Sequence, residues 1–494
     1  MTAASQTELY HEIFGSILDR REMTPYLLKD CGGYTDALRQ ATRMMANRGF
    51  DMVDGDLCPG EKDRAAQIVR QAVHYFESWL LPFAGEQIRR LSALDSPLCS
   101  LYSDSIGSLS HIHEILSDSS FRSLIEEDPR HLFLLSSSVK YRNLFDGYRS
   151  GRMDVPVEWQ RMGCSILKMC HLIKAIEEDS QDINDYARLG FYFESKRISL
   201  TDLFRFDWND PDLAPVEDSA RLAFVKLSSF FGKIRESMFT DERRGCRVFD
   251  SGDGVRVDIA DVKARLKSPE SMFTKLGKSA EGEAYDIRDI LAVTFLLRER
   301  DDALTLFHAL QKRGVILQEN TSSVSITQTL FDDPTDMREA VIRLMKNLSL
   351  SAGEKISLSE KDISENAERF FGALSVNNSA NEFSAGGHRK FQCKINYSVS
   401  VHRDAVSGRI LVPGSLEFDR RAGMRIRTRQ YTLPVELRIS DSRSWEKSEH
   451  KGDAHHDAYK FRQIVALMNR LFDPVFSFPR DSFPQLRADQ SRIF

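Results

Sequence analysis

The sequence predicts an α+β protein, with an all-helical half over residues 1–240, a mixed-sheet domain over 245–470 and a tail over 471–494. Three observations carry this division. Between about 36 and 240, apolar residues recur at three- and four-residue steps, the period of a helix buried on one face. Beyond 250, short alternating or wholly apolar runs are interspersed with helical ones. Between the two halves lies the charged, glycine-containing stretch TDERRGCRVFDSGDG, which has the punctuation of a boundary.

In the helical half, Ile68, Ala72, Phe76 and Trp79 form an apolar stripe, and Pro82 is expected to kink that helix near Leu81. Further helices are expected over 107–127, 157–178 and 216–238. Residues 256–276 read as the approach to a helix and the helix itself, and LAVTFLLR (291–298) as a short buried strand. ALTLFHALQKRG reads as a helix closed by Gly314, with Lys312 and Arg313 in its last turn. The Ser-, Asn- and Asp-rich stretch 315–387 has one clear helix, DMREAVIRLMKNL, and reads as an insertion. KINYSVSV, RILVPGSLEF, MRIRTRQ and LPVELRIS alternate with period two and predict a mostly antiparallel group of strands. A helix, YKFRQIVALMNRLF, closes the domain.

At 494 residues, 41% hydrophobic and 29% charged, the chain is long and apolar enough for two or more packed cores. Its net charge of -5 gives no support to a globally basic nucleic-acid binder, but leaves room for a local basic cleft. Seven scattered cysteines without a CxxC pair suggest neither a disulfide framework nor a zinc site, and Cys164 and Cys170 read as core thiols. There is no secretory-type start and no apolar run long enough for a membrane span, so a cytoplasmic location is expected.

Two segments carry chemistry. In VKARLKSPESMFTKLGKSAEGEAYDIRDILAVTFLL, the cations Arg265, Lys267, Lys275 and Lys278 precede Asp286 and Asp289. Polyphosphate transfer needs both kinds of group, cations for the phosphates and carboxylates for a bridging magnesium ion. An ordinary solvated helix face of paired charges explains the same pattern. In YTLPVELRISDSRSWEKSEHKGDAHHDAYK, Glu436 and Arg438 fall opposite Val435 and Leu437 by alternation, as a cleft floor or as a solvent-facing pair. The adjacent His455 and His456 point about 100° apart on a helix, a poor start for a metal site. MRIRTRQ aims Arg425, Arg427 and Arg429 from one strand face, toward an anionic ligand or as a solubilising edge.

Over about 250–460 these segments, in order, resemble the RelA/SpoT alarmone synthetases. RLKSPESMFTK is similar to that family's basic segment, with Arg265, Lys267, Ser268, Ser271 and Lys275 in place. DIRDILAVT resembles its magnesium-binding strand start, so Asp289 falls on the metal aspartate, and ELRISD puts Glu436 on the catalytic glutamate. SEHKGDAHHDAYK matches the closing helix at Glu449, His456, Tyr459 and Lys460. Thr294 stands where many members have arginine, Arg438 replaces a glutamine, and Ser440 and Asp441 replace an Arg-Thr pair. The family's tyrosine strand has no clean counterpart, and His388 or Phe391 is the nearest aromatic to the one that stacks on guanine.

The resemblance implies a nucleotidyltransferase-like fold and Mg2+-dependent transfer of pyrophosphate from ATP to a ribose hydroxyl of GTP or GDP. Arg265, Lys267, Ser268 and Lys275 would hold the donor, Phe391 and Arg438 would contact nucleotide, and Asp289 and Glu436 would hold the metal. Two rivals are transfer to an RNA end such as tRNA, which the arginine strand suits, and an inactive nucleotide-binding or structural protein. No histidine in the first 240 residues precedes an aspartate, so no HD-type hydrolase is expected. The helical half is left as a regulatory, delivering or scaffolding element, open to a protein partner or effector.

Overall fold

The computed structural model describes residues 59–127, 132, 157–179, 218–243, 245–278, 289–321, 326–353, 358–375, 389–412, 426–450 and 455–494. They belong to two compact units that interleave along the chain. One takes the described residues that fall within 1–180, 269–286 and 456–494, and the other takes those within 181–268 and 287–455. The expected boundaries near 240 and 470 are therefore replaced, because the chain leaves the second unit and returns to it.

The helical unit contains α1 (Pro59–Tyr75), a π-helical turn (Phe76–Leu80), α2 (Leu81–Ser92), α3 (Cys99–Ser117), α4 (Ser119–Glu127) and α5 (Val157–Asp179). With α6 (Asp218–Glu236) given to the other unit, it regains the chain at α7 (Pro269–Gly277). The expected kink before Pro82 is a widened turn, not a break: the proline occupies the start of α2, where a missing N–H costs least. Asp118 separates α3 from α4 by accepting from the backbone N–H groups of Ser120 and Phe121, which divides the single helix expected there.

The sheet unit is built on α6, β1 (Met238–Asp241), β2 (Cys246–Asp250), β3 (Arg256–Leu266), β4 (Leu291–Leu297), α8 (Ala303–Lys312), β5 (Ile326–Gln328), α9 (Pro334–Ala352), α10 (Glu360–Ser375), β6 (Phe391–Asp404), β7 (Ile410–Leu411), β8 (Ile426–Asp441) and α11 (Ser442–His450). Its strands form one mixed sheet in the order β1-β2-β3-β4-β8-β6-β5, with β7 beside β6. Only β4 and β8 run parallel among these pairs.

Three sequence expectations change here. The approach to α7 is the 11-residue strand β3, whose bulge between Ile259 and Asp261 interrupts the alternation that would have marked it. MRIRTRQ and LPVELRIS are joined in the single strand β8 through Pro434. A proline is tolerated there because β4 pairs with β8 only from Val435 onward. The stretch expected as an insertion holds two helices, α9 and α10, and the edge strand β5. Asp333 caps α9 by accepting from Asp336 N at 2.7 Å, and Arg343 ties α9 to Asp302 at 2.8 Å.

Strand alternation gives the sheet an apolar face. Val293, Leu437 and Cys393 are cross-strand neighbours on it, as are Leu291, Val435 and Ile395. Two helices cover this face: Phe307 of α8 meets Phe391, and Phe230 of α6 meets Tyr397 edge-on at 5.3 Å.

The remaining helices, α12 (His456–Phe472) and α13 (Phe483–Ile493), belong to the helical unit. Residues 471–494 are thus no tail. Asp489 of α13 is fully buried and accepts from Ser96 Oγ, from Tyr102 Oη at 2.7 Å and from Gln485 Nε2 at 3.0 Å. Arg462 of α12 is equally buried and donates to Gln490. Cys170 is a buried free thiol in α5, as expected, while the side chain of Cys164 lies outside the described residues. Among the described residues, no helix is long and apolar enough to cross a membrane.

Candidate functional site

The polar face of the sheet gathers the residues of interest by register. Arg265 of β3 lies opposite Ala292 of β4, Ala292 opposite Glu436 of β8, and Glu436 opposite Lys394 of β6. Directly opposed residues share a face, so this row aligns two cations and a carboxylate across four strands. The adjacent row on the same face is Lys263, Thr294, Arg438 and Gln392. Small Ala292 and Thr294 fill the centre and leave the longer flanking side chains room to converge.

Glu436 is the buried centre, 3% exposed. Its Oε1 accepts from Arg438 Nε at 2.6 Å and its Oε2 from Gln392 Nε2 at 2.8 Å. Burial pushes the Glu436 carboxyl up, and the charge of Asp289 pushes the same way. Arg438, Lys390 and Lys394 outweigh both and hold it well below the usual carboxylate range. Glu436 is therefore ionised at neutral pH and a poor proton acceptor.

Asp289 stands just before β4, where Lys267 N continues the ladder by donating to Ile290 O at 2.8 Å. Its carboxylate is paired with the Lys267 ammonium, and both side chains are largely buried. Lys390, one residue before β6, is partly buried. Burial, helped by Arg438, Lys394 and Arg265 and opposed by Glu436, pushes its ammonium down to about 7.

Of the residues anticipated from sequence, Arg265, Lys267, Asp289, Glu436 and Arg438 therefore share one neighbourhood, and Ser268 follows Lys267 at the exposed end of β3. Lys275 sits on α7 of the helical unit, as do His456, Tyr459 and Lys460 on α12. Asp286, His388 and Arg425 lie outside the described residues. Two anticipated roles are corrected. Phe391 cannot stack on a ligand beside Glu436, because it pairs with Ile439 on the opposite, apolar face and is 1% exposed against Phe307. Arg427 and Arg429 have the strand parity of Val435 and Leu437, so they also point away from Glu436, and Arg429 lies over the Tyr431 ring.

Sequence reasoning passed over Lys390, Gln392 and Lys394. The signal was present in HRKFQCKINYSV, where Lys390, Gln392 and Lys394 alternate with Phe391, Cys393 and Ile395. Four cations (Arg265, Lys267, Lys394, Arg438) and the partly protonated Lys390 thus surround two carboxylates (Asp289, Glu436). Such a surplus attracts a polyanion. Among the described residues, no group of three or more His, Cys, Asp or Glu could hold a metal ion. The two carboxylates, each already paired with a cation, suit a divalent ion delivered on a polyphosphate better than a bare one. Compared with protein-family models, curated proteins and solved structures, the chain matches none.

Proposed function

We propose that the sheet unit is a nucleotidyltransferase-like domain that transfers pyrophosphate from ATP to a ribose hydroxyl of GTP or GDP. The observation that carries this reading is the convergence of Arg265, Lys267, Lys390, Lys394 and Arg438 on the carboxyl groups of Asp289 and Glu436. In it, Arg265, Lys267, Lys390 and Lys394 bind the phosphates, while Asp289 and Glu436 hold Mg2+. The bound ion supplies neutralisation of charge on the transferring group. The hydroxyl oxygen attacks the β-phosphorus of ATP, the bond from that phosphorus to the α-phosphoryl oxygen breaks, and AMP leaves. The hydroxyl proton goes to solvent, because Glu436 is held too acidic to take it.

The test is incubation with ATP labelled at the γ-phosphate, with Mg2+ and separately GTP, GDP or tRNA. Label in a guanosine product together with stoichiometric AMP supports the reading. The RNA acceptor loses its main support, since Arg427 and Arg429 face away from Glu436.

One observation favours a second reading, nucleotide binding without turnover. Arg438 already neutralises Glu436, as a structural ion pair would. Saturable ATP binding with no label transferred to any of the three acceptors would select it.

A further inference from the structure

The two polar atoms of the Gln392 side chain are in unequal states. Nε2 donates to Glu436 Oε2 at 2.8 Å, whereas Oε1 is buried and accepts from no donor among the described residues. The two ends cannot exchange. An ionised carboxylate only accepts, so the amide must turn its NH2 toward Glu436 and its carbonyl oxygen away. Gln392 is itself 9% exposed, fixed by β6 between Lys390 and Lys394 and opposite Arg438. A buried acceptor without a donor is costly, and a ligand that donates to it recovers that cost.

We propose that Gln392 Oε1 receives a hydroxyl of the sugar on the acceptor nucleotide, and that Gln392 is the residue by which the site distinguishes a sugar-bearing phosphate from bare polyphosphate. The inference rests on the nucleotide reading above and adds to it a specificity determinant. Lys390 and Lys394 flank Gln392 on the same strand face and offer donors to a phosphate, and Oε1 requires a donor. Polyphosphate near neutral pH presents almost only acceptors, whereas a nucleotide offers both kinds of group. A sugar hydroxyl is favoured over a base N–H because Gln392 touches Glu436, the carboxylate set beside the transferring group. A polar site built to receive a hydroxyl discriminates strongly against the analogue that lacks it.

The test is titration calorimetry on the full-length protein with Mg2+, using GTP, 2′,3′-dideoxy-GTP, inosine triphosphate and tripolyphosphate, on wild type and Gln392→Met. Wild type is expected to bind the dideoxy analogue at least about tenfold more weakly than GTP. Gln392→Met is expected to bind the two within about twofold of each other, with tripolyphosphate affinity equal in both proteins. Equal wild-type affinity for GTP and its dideoxy analogue overturns the inference and needs no variant. Discrimination retained in Gln392→Met, or wild-type discrimination against inosine triphosphate in place of the dideoxy analogue, overturns it as well. If wild type binds neither GTP nor tripolyphosphate, the nucleotide reading itself fails and takes the inference with it.

Discussion

Arg438 Nε donates to Glu436 Oε1 at 2.6 Å from two residues further along β8, where alternation returns both side chains to the same face. The pair is nearly dry: the Glu436 side chain is 4% exposed and that of Arg438 15%. Such a pair is costly to break from one side, because the remaining charge is left uncompensated.

Glu436→Gln is accordingly expected to lower stability at pH 7 by about 3 kcal/mol as well as to abolish transfer. The folded-state pKa of Glu436 is lowered, so its contribution is present above the ordinary value of 4.5 and is lost as pH falls through the folded value. Urea unfolding of wild type and Glu436→Gln at a series of pH values should show the gap closing only in acid. A constant gap from pH 7 to pH 3 would refute the ion-pair account.

Lys390 titrates near 7 in the folded chain against 10.5 for a free lysine, so the folded state holds fewer protons between these values. Wild-type stability should therefore rise relative to Lys390→Met as pH increases over that window. A phosphate brought to Lys390 restores its proton. Nucleotide binding at pH 8 is then expected to take up most of one proton more in wild type than in Lys390→Met. Calorimetry in buffers of different ionisation enthalpy measures this, and equal uptake would exclude Lys390 from the phosphate site.

Arg427 and Arg429 are exposed on the face away from Glu436. Replacing both with Gln should leave ATP affinity within about twofold, whereas Lys394→Met, on the cation row, should weaken it about tenfold. Equal losses in the two variants would mean that the bound phosphates are not on the Glu436 face.

Asp489 ties α13 to Ser96 and Tyr102. Burial, then the bond to Asp489, pushes the Tyr102 phenol well up, so it stays a donor throughout the physiological range. Asp489→Ala strands those buried donors and should cost about 2–4 kcal/mol. A thermal melt shifted by less than a degree would show that the C-terminal helix is dispensable after all.

The mixed α+β class and part of the charged centre, namely Arg265, Lys267, Asp289, Glu436 and Arg438, are legible in the chain segment by segment. Helical and two-residue periods are local properties, and the cations and carboxylates of RLKSPESMFTK, DIRDILAVT and ELRISD stand out one segment at a time. Glu436 and Arg438 were placed opposite Val435 and Leu437 by alternation alone, as the sheet has them. Other members of the site are visible in no single segment. Lys394 belongs to the site because its register on β6 sets it opposite Glu436, and Gln392 because it reaches across to the same carboxylate. Phe391 and the arginine pair have chemistry that suits a nucleotide, but the unbroken register between β6 and β8 gives them the parity that turns them away from Glu436. In the same way α13 looks like a polar tail until Ser96 and Tyr102, nearly four hundred residues earlier, supply the donors that let Asp489 be buried. Periodicity reports which residues share a face; strand register and long-range hydrogen bonds decide what that face meets.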